Sequence, residues 1–260
     1  MGIAELFGIE GKVALVTGGS RGIGLMIARG FVEAGAKVYI SSRKAQACDE
    51  AAAELAKTGE CVAIPADLST EAGCVALAGQ IAERESSLHV LINNAGATWG
   101  APIADYPDAA WDKVMATNVK APFFLTRLLL PQLRKAATAD DPARVIMIGS
   151  IDGIRISEFE HYAYPASKAA IHMLARDLAH KLVGEHITVN AIAPGLFPSK
   201  MTNFLFESEH AGDAIAKMVP MGRAGRPDDM AGIAIFLSSR AGSYLTGAVI
   251  PVDGGVSTHG

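Results

Sequence analysis

Val13-Ala14-Leu15-Val16-Thr17-Gly18-Gly19-Ser20-Arg21-Gly22-Ile23-Gly24 is a short apolar, β-branched run that ends in a turn carrying four glycines. The run reads as a buried strand and the stretch after Gly24 as a helix. A glycine-rich turn between a strand and a helix N-terminus presents main-chain N–H groups and the positive end of the helix dipole. That arrangement favours a pyrophosphate, and the missing Cβ atoms let phosphates approach closely. Glycine also builds ordinary tight turns, so the spacing alone carries little weight. Its place directly after the first strand gives it force.

Outward from this unit the strand-then-helix rhythm repeats to the C-terminus. Candidate strands are Val13 to Thr17, Lys37 to Ser41, Cys61 to Pro65, Val90 to Asn93, Arg144 to Ile148, Thr188 to Ala193 and Val249 to Val252. Their apolar residues run on without alternation, which predicts a parallel sheet covered on both faces. The expected fold is α/β, a Rossmann-type doubly wound sheet of about seven parallel strands with about six helices on its two faces. A chain of 260 residues, 50% of them hydrophobic, fills one such domain spanning residues 1–260, and no repeat or linker marks a second. Two stretches break the rhythm, 136–143 and 196–219. The second follows a strand end and mixes Met201, Phe204, Leu205 and Phe206 with polar residues, as a lid over a ligand would.

The formal net charge is -4 with acids and bases interspersed, so no basic field exists to hold nucleic acid or an anionic membrane. Small molecules and copies of the chain itself are the expected partners. Cys48, Cys61 and Cys74 match neither a zinc nor a disulfide spacing, and no metal site is expected. Met1 to Glu10 carries two glutamates and no basic residue, unlike a secretory signal, and no apolar stretch is long enough to span a bilayer. A soluble, cytoplasmic protein is expected.

The glycine turn resembles the TGxxxGxG fingerprint of the short-chain dehydrogenase/reductase family. The resemblance implies that Gly18, Ser20, Arg21, Gly22, Ile23 and Gly24 hold a dinucleotide. In NAD-dependent relatives an acidic residue ends the second strand, where it binds the adenosine ribose and repels a 2′-phosphate. Here that place is Ser42, with Arg43 next to it and Arg21 in the glycine turn. Two guanidinium groups so placed suit the 2′-phosphate of NADP(H); two solvated arginines are the plainer alternative. Asp67-Leu68 resembles the family's adenine-contacting pair, with a helix N-cap by Asp67 as the competing role. Asn93-Asn94-Ala95-Gly96 matches the family's NNAG segment, which places Asn94, Ala95 and Gly96 beside the cofactor.

Tyr164-Pro165-Ala166-Ser167-Lys168 carries the chemistry. Residues four apart share a helix face, so the Lys168 ammonium comes near the Tyr164 phenol and, like the positively charged oxidised nicotinamide, is expected to favour its ionised form. Such a pair arises often by chance. With the glycine turn, NNAG and Ser150 it matches the family's catalytic set, in which Ser150 polarises the substrate oxygen and Asn118 supports a water-linked path to the lysine. A turn-forming serine and a kinked-helix asparagine are the bland readings. Pro122, four residues past Asn118, has no N–H, which leaves the Asn118 carbonyl without its helical partner. Asn190 to Gly195 resembles the family segment at the nicotinamide end, assigning Pro194, Gly195, Phe197 and Ser199 to the cofactor. Ser199 stands where the family has threonine, with Pro198 interposed. The resemblance runs from Lys12 to Gly255.

The implied activity is hydride transfer between NADP(H) and a carbonyl or alcohol carbon, with Tyr164 moving the proton. His161, Tyr162 and Trp99 are candidates for the substrate site, with packing as the equal alternative for each. The motif set most resembles 3-oxoacyl thioester reductases, including the rhamnolipid-associated type. A polyol, sugar or steroid dehydrogenase uses the same groups, and a non-catalytic NADP(H) sensor is the reading from another class. The stretches 114–129 and 171–182 are apolar around much of their circumference, and with the resemblance they imply a homotetramer.

Overall fold

A computed structural model describes residues 2–200, 202–203, 206 and 211–258. Its centre is a seven-stranded parallel sheet in the order β3-β2-β1-β4-β5-β6-β7. The strands are β1 Val13–Thr17, β2 Lys37–Ser41, β3 Cys61–Ala63, β4 Val90–Asn93, β5 Ala143–Ile148, β6 Ile187–Pro194 and β7 Val249–Val252. Around them lie α1 Ile3–Phe7, α2 Gly22–Glu33, α3 Ala45–Leu55, α4 Glu71–Arg84, α5 Asp108–Met115, α6 Ala121–Ala136, α7 Ala163–Leu182, α8 Ala211–Met218 and α9 Pro227–Ser238.

Every residue of β1, β4, β5 and β6 is buried, which explains their unbroken apolar sequences. Successive side chains go to opposite faces. Leu15, Leu91, Val145 and Val189 pack with α4, α6 and α7, whereas Val16, Ile92 and Ile146 pack with α2, α3 and α9. The chain winds outward from β1 to β3, then returns to lay β4 on the other side of β1. That reversal leaves a crevice beyond the C-terminal ends of β1 and β4, the place where such sheets bind ligands.

Three details depart from the sequence expectation. β3 stops at Ala63 rather than Pro65, yet Ile64 N donates to Ile40 O at 2.8 Å and Ala66 N to Ser42 O at 3.1 Å. Pro65 falls between these two donors on the outer side of an edge strand, where its missing N–H costs nothing. The short helix α1 precedes β1, and the short helix α8 shares the β6–β7 connection with α9; neither has a counterpart among the six expected. Between α5 and α6 the residues Ala116–Lys120 form a π turn, in which Ala121 N reaches back to Ala116 O. Pro122 sits at the start of α6 just beyond it, and such one-turn widenings mark functional sites.

Of the residues read as a lid, Met201, Phe204 and Leu205 lie outside the described residues. Phe206 packs on an apolar cluster of Ile151, Ile215, Val219 and Val256. At the opposite end of the sheet Lys12 bonds Asp141 at 2.5 Å, and the fully buried Arg144 bonds Asp141 and, at 2.8 Å, Ser239 O. This charged group ties the N-terminal ends of β1 and β5 together, far from the crevice, and is structural. Among the described residues no helix is long and apolar enough to cross a membrane, and no cluster of three His, Cys, Asp or Glu side chains is placed to hold a metal ion.

Candidate active site

A cleft of about 1190 Å³ runs across the C-terminal ends of the central strands. It exceeds the roughly 300–1,000 Å³ of a drug-sized site and has room for a dinucleotide and a second molecule. All the catalytic and cofactor-site residues read from the sequence line it except Gly24 and Asn118.

The glycine turn is shaped by β4 as much as by its own sequence. The Thr17 hydroxyl accepts from Asn94 N at 2.9 Å and Ala95 N at 3.0 Å and donates to Ile92 O at 3.2 Å. Asn94 Nδ2 donates to Thr17 O at 2.8 Å. Thr17 therefore stitches the ends of β1 and β4 together, a role the sequence reading passed over although the residue opens the fingerprint. Gly18 has φ +67° and Gly22 φ +54°, the left-handed region that glycine tolerates without strain. Gly24 faces away from the cleft: a Cβ there would lie 2.4 Å from Gly18 O and 2.5 Å from Asn94 Nδ2. Its task is to let α2 press against the turn. Gly24→Ala is expected to destabilise the protein by about 1–3 kcal/mol, the usual cost of an overpacked contact that backbone must relieve. Urea unfolding midpoints of the two proteins measure it.

No carboxylate stands at the end of β2. Ser42 is part-buried at the cleft wall, and the exposed Arg43 and Arg21 border the same space. Among the described residues neither guanidinium is within ion-pair distance of a carboxylate. Two uncommitted cations beside a cradle of glycines fit an anionic ligand with a further phosphate near Ser42. Asp67 does not cap α4; Thr70 does, accepting from Gly73 N at 3.1 Å. Asp67 instead accepts from Ser69 N at 3.0 Å and Ser69 Oγ at 2.8 Å and stays in the cleft wall. Although burial opposes it, these bonds and the Arg43 charge hold its carboxyl below its ordinary range. Ser199 stands over the glycine turn, where a Cβ on Gly22 would lie 3.4 Å from its Cβ. Its hydroxyl is 3.1 Å from Thr202 Oγ1, and Thr202 anchors to Phe197 O at 2.7 Å. Thr202, not singled out in the sequence, lines the cleft beside Ser199.

At the other end, α7 carries Tyr164 and Lys168 on one face. Lys168 Nζ lies 5.4 Å from the centre of the Tyr164 ring and donates to Ile148 O at 2.8 Å. Ser150, extended at the end of β5, accepts from Asp152 N at 3.1 Å and caps the short turn Ile151–Gly153. It is thus a turn former as well as a neighbour of the phenol. The expected lowering of the phenol is not found. Burial pushes Tyr164 up to about 12, with the bond to Ser150 pulling the other way and the Asp152 carboxylate adding to the rise. Burial also brings Lys168 down to about 8. Loss of hydration outweighs a cation 5.4 Å away, so the chain by itself presents a protonated phenol.

Asn118 works behind the cleft. Its Oδ1 accepts from Ala97 N at 2.8 Å, and its Nδ2 donates to Ala97 O at 2.9 Å and Ser167 Oγ at 2.9 Å. The side chain is fully used in clamping the loop after β4 to α7, leaving the main chain of the π turn as the part able to serve a water. Of the substrate candidates, His161 lines the cleft, whereas Trp99 and Tyr162 do not. Asp152, Arg155, Phe159 and Val256 line it unannounced, because no local pattern marks a residue brought in by tertiary packing.

His172, one turn beyond Lys168, is buried with an unpartnered Nε2, packed where a Cβ on Gly149 would collide. Burial, and next the Lys168 and Arg176 charges, hold its imidazole down at about 4. The unfolded chain takes up that proton near 6.5, so stability falls as pH drops from about 6.5 towards about 4. His172→Gln is expected to flatten the loss of Tm across that window.

Residues 18–257 match the family model described as enoyl-(acyl carrier protein) reductase. The chain is 53% identical over 249 residues to the rhamnolipids biosynthesis 3-oxoacyl-(acyl-carrier-protein) reductase of Pseudomonas aeruginosa, covering 96% of this chain and 97% of that protein. It is 37% identical over 258 residues to the galactitol 2-dehydrogenase (L-tagatose-forming) of Cereibacter sphaeroides, covering 98% of each. Among solved structures, the Pseudomonas aeruginosa RhlG/NADP active-site complex aligns with a TM-score of 0.94 at 52% identity, covering 97% of this chain and 99% of that one. The chain belongs to the short-chain dehydrogenase/reductase family of oxidoreductases.

Proposed function

We propose that this protein is an NADP(H)-dependent reductase that converts the carbonyl of a 3-oxoacyl thioester to a secondary alcohol, with Asn118, Ser150, Tyr164 and Lys168 as its catalytic residues. The observation that carries this reading is the Lys168 ammonium, fixed by Ile148 O, 5.4 Å from the ring of a phenol that stays protonated. When bound, the reduced nicotinamide supplies the hydride. Ser150 and Tyr164 hold the substrate oxygen, and Tyr164 gives its proton to that oxygen as charge develops there. Lys168 stabilises the phenolate left behind and passes a proton back from the π turn around Asn118. Gly18, Ser20, Gly22 and Ile23 cradle the pyrophosphate, while Arg21, Ser42 and Arg43 receive the 2′-phosphate. Asp67 and Leu68 flank the adenine. Asn94, Ala95, Gly96, Pro194, Gly195, Phe197 and Ser199 shape the nicotinamide end.

The substrate half is walled by Ile151, Leu196, Val219 and Val256, which suits an acyl chain. Residues 196–219 serve as its lid, α8 bringing Ile215 onto Ile151 and Val256. A sugar or polyol dehydrogenase is the second reading, favoured by the Asp152, Arg155 and His161 side chains in the same wall. We assign the chain a cytoplasmic place and a homotetrameric assembly, with exposed Phe123 and Met173 on α6 and α7 in the subunit contacts; a monomer by light scattering would overturn the latter. A panel of 3-oxoacyl thioesters, diketones and keto sugars, followed by NADPH absorbance, tests the substrate. Fastest oxidation is expected with the thioesters, and a response to keto sugars alone would favour the second reading.

A further inference from the structure

Two side chains that carbonyl reduction does not require stand beside the phenol. Asp152 lies in the turn immediately after Ser150, and His161 lies just before α7. His161 Nε2 is 3.3 Å from Asp152 Oδ2 and 2.6 Å from Ser157 Oγ. His161 Nε2 thus sits between the Ser157 hydroxyl, its hydrogen-bond partner, and the Asp152 carboxylate, which lies within ion-pair distance. The two side chains are only 13% and 17% exposed, so water and salt screen this pair far less than a surface one. The imidazole also packs on the Tyr164 ring, with centroids 5.1 Å apart and planes at 36°, and the His161 carbonyl accepts from Tyr164 N at 2.7 Å.

We propose that Asp152 and His161 form a positioning pair for Tyr164, in which His161 packs on the phenol ring and against Asp152, whose carboxylate sets the pH range over which the phenol donates. The inference rests on Tyr164 being the proton donor. Other charged or titratable groups border the same space: Arg155 and Glu160 from the loop before α7, Lys168 on α7, and Lys200 after β6, with His172 behind Lys168. Among these, Asp152 acts on both reacting groups, raising Tyr164 and Lys168 alike. Burial is the larger influence on each; Asp152 adds to the rise of Tyr164 and opposes the fall of Lys168.

The test is the pH dependence of kcat/KM for carbonyl reduction. Asp152→Asn keeps the shape and removes the charge, so both groups titrate lower. The alkaline fall in activity is expected to move down by about half a pH unit or more, the size of one partly screened charge nearby. His161→Phe keeps a ring against Tyr164 but removes the polar imidazole beside Asp152, and the same limb is expected to move up. Asp152→Glu is expected to return the limb towards wild type. Should Asp152→Asn fail to fold, the direction of the His161→Phe shift decides. Lower activity in both variants with an unmoved limb, while Tyr164→Phe is inactive, overturns the pair and leaves the donor reading standing. An active Tyr164→Phe overturns both.

Discussion

Tyr164→Phe is expected to lower kcat by at least about 10³-fold, near the upper end of what a positioned proton donor contributes, while NADPH binding changes by less than about twofold. The separation follows from the geometry. The phenol lines the part of the cleft that we assign to the substrate, and Gly18, Arg21, Arg43 and Asp67 line the part that we assign to phosphates and adenine. The phenylalanine ring fills the same space against His161 and Lys168, so the fold is undisturbed and the loss is confined to the proton. Turnover with a 3-oxoacyl thioester, paired with a fluorescence titration of NADPH, measures both numbers. Because burial holds the phenol at about 12, reduction by the wild type is expected to persist well above neutral pH. Any fall near pH 8 then reports Lys168, which burial brings down to about 8.

The second large effect concerns cofactor choice. Removing Arg21 and Arg43 together is expected to weaken NADPH binding about 100-fold and leave NADH binding within about threefold, since a charge-assisted hydrogen bond contributes about 1.5–3 kcal/mol. Ser42→Asp combined with Arg43→Ala goes further, because a carboxylate at the end of β2 repels the 2′-phosphate and accepts from a ribose hydroxyl instead. The ratio of kcat/KM for the two cofactors is the readout, and equal use of both by the wild type would refute the assignment. High salt is expected to erode the NADPH preference of the wild type, because both guanidinium groups are solvent-facing.

Much of this architecture was legible in the chain because it is written locally. Continuous apolar runs such as Val145 to Ile148 announce strands buried on both faces, and the glycine turn announces the crevice that topology then provides. The strand boundaries matched within one or two residues, and the largest error, at Pro65, arose because an edge strand tolerates proline on its outer side. What stayed hidden depends on contacts distant in sequence. Thr17 gains its role only when β4 lies beside β1, and Thr202 only when the segment after β6 folds back on Phe197. The direction of the Tyr164 shift was misread because spacing along a helix reports a neighbouring charge and says nothing of lost hydration. Asn118 likewise showed its place on a helix but not that its side chain would be consumed by Ala97 and Ser167.

The most direct measurement is the fate of the label when the protein is given a 3-oxoacyl thioester and NADPH deuterated at C4 of the nicotinamide on the transferred face. Mass spectrometry of the product is predicted to find one deuterium on the new carbinol carbon for each cofactor oxidised by the wild type, and none with Tyr164→Phe over the same time. Cofactor binding without label transfer, or equal labelling by the two proteins, would contradict the account.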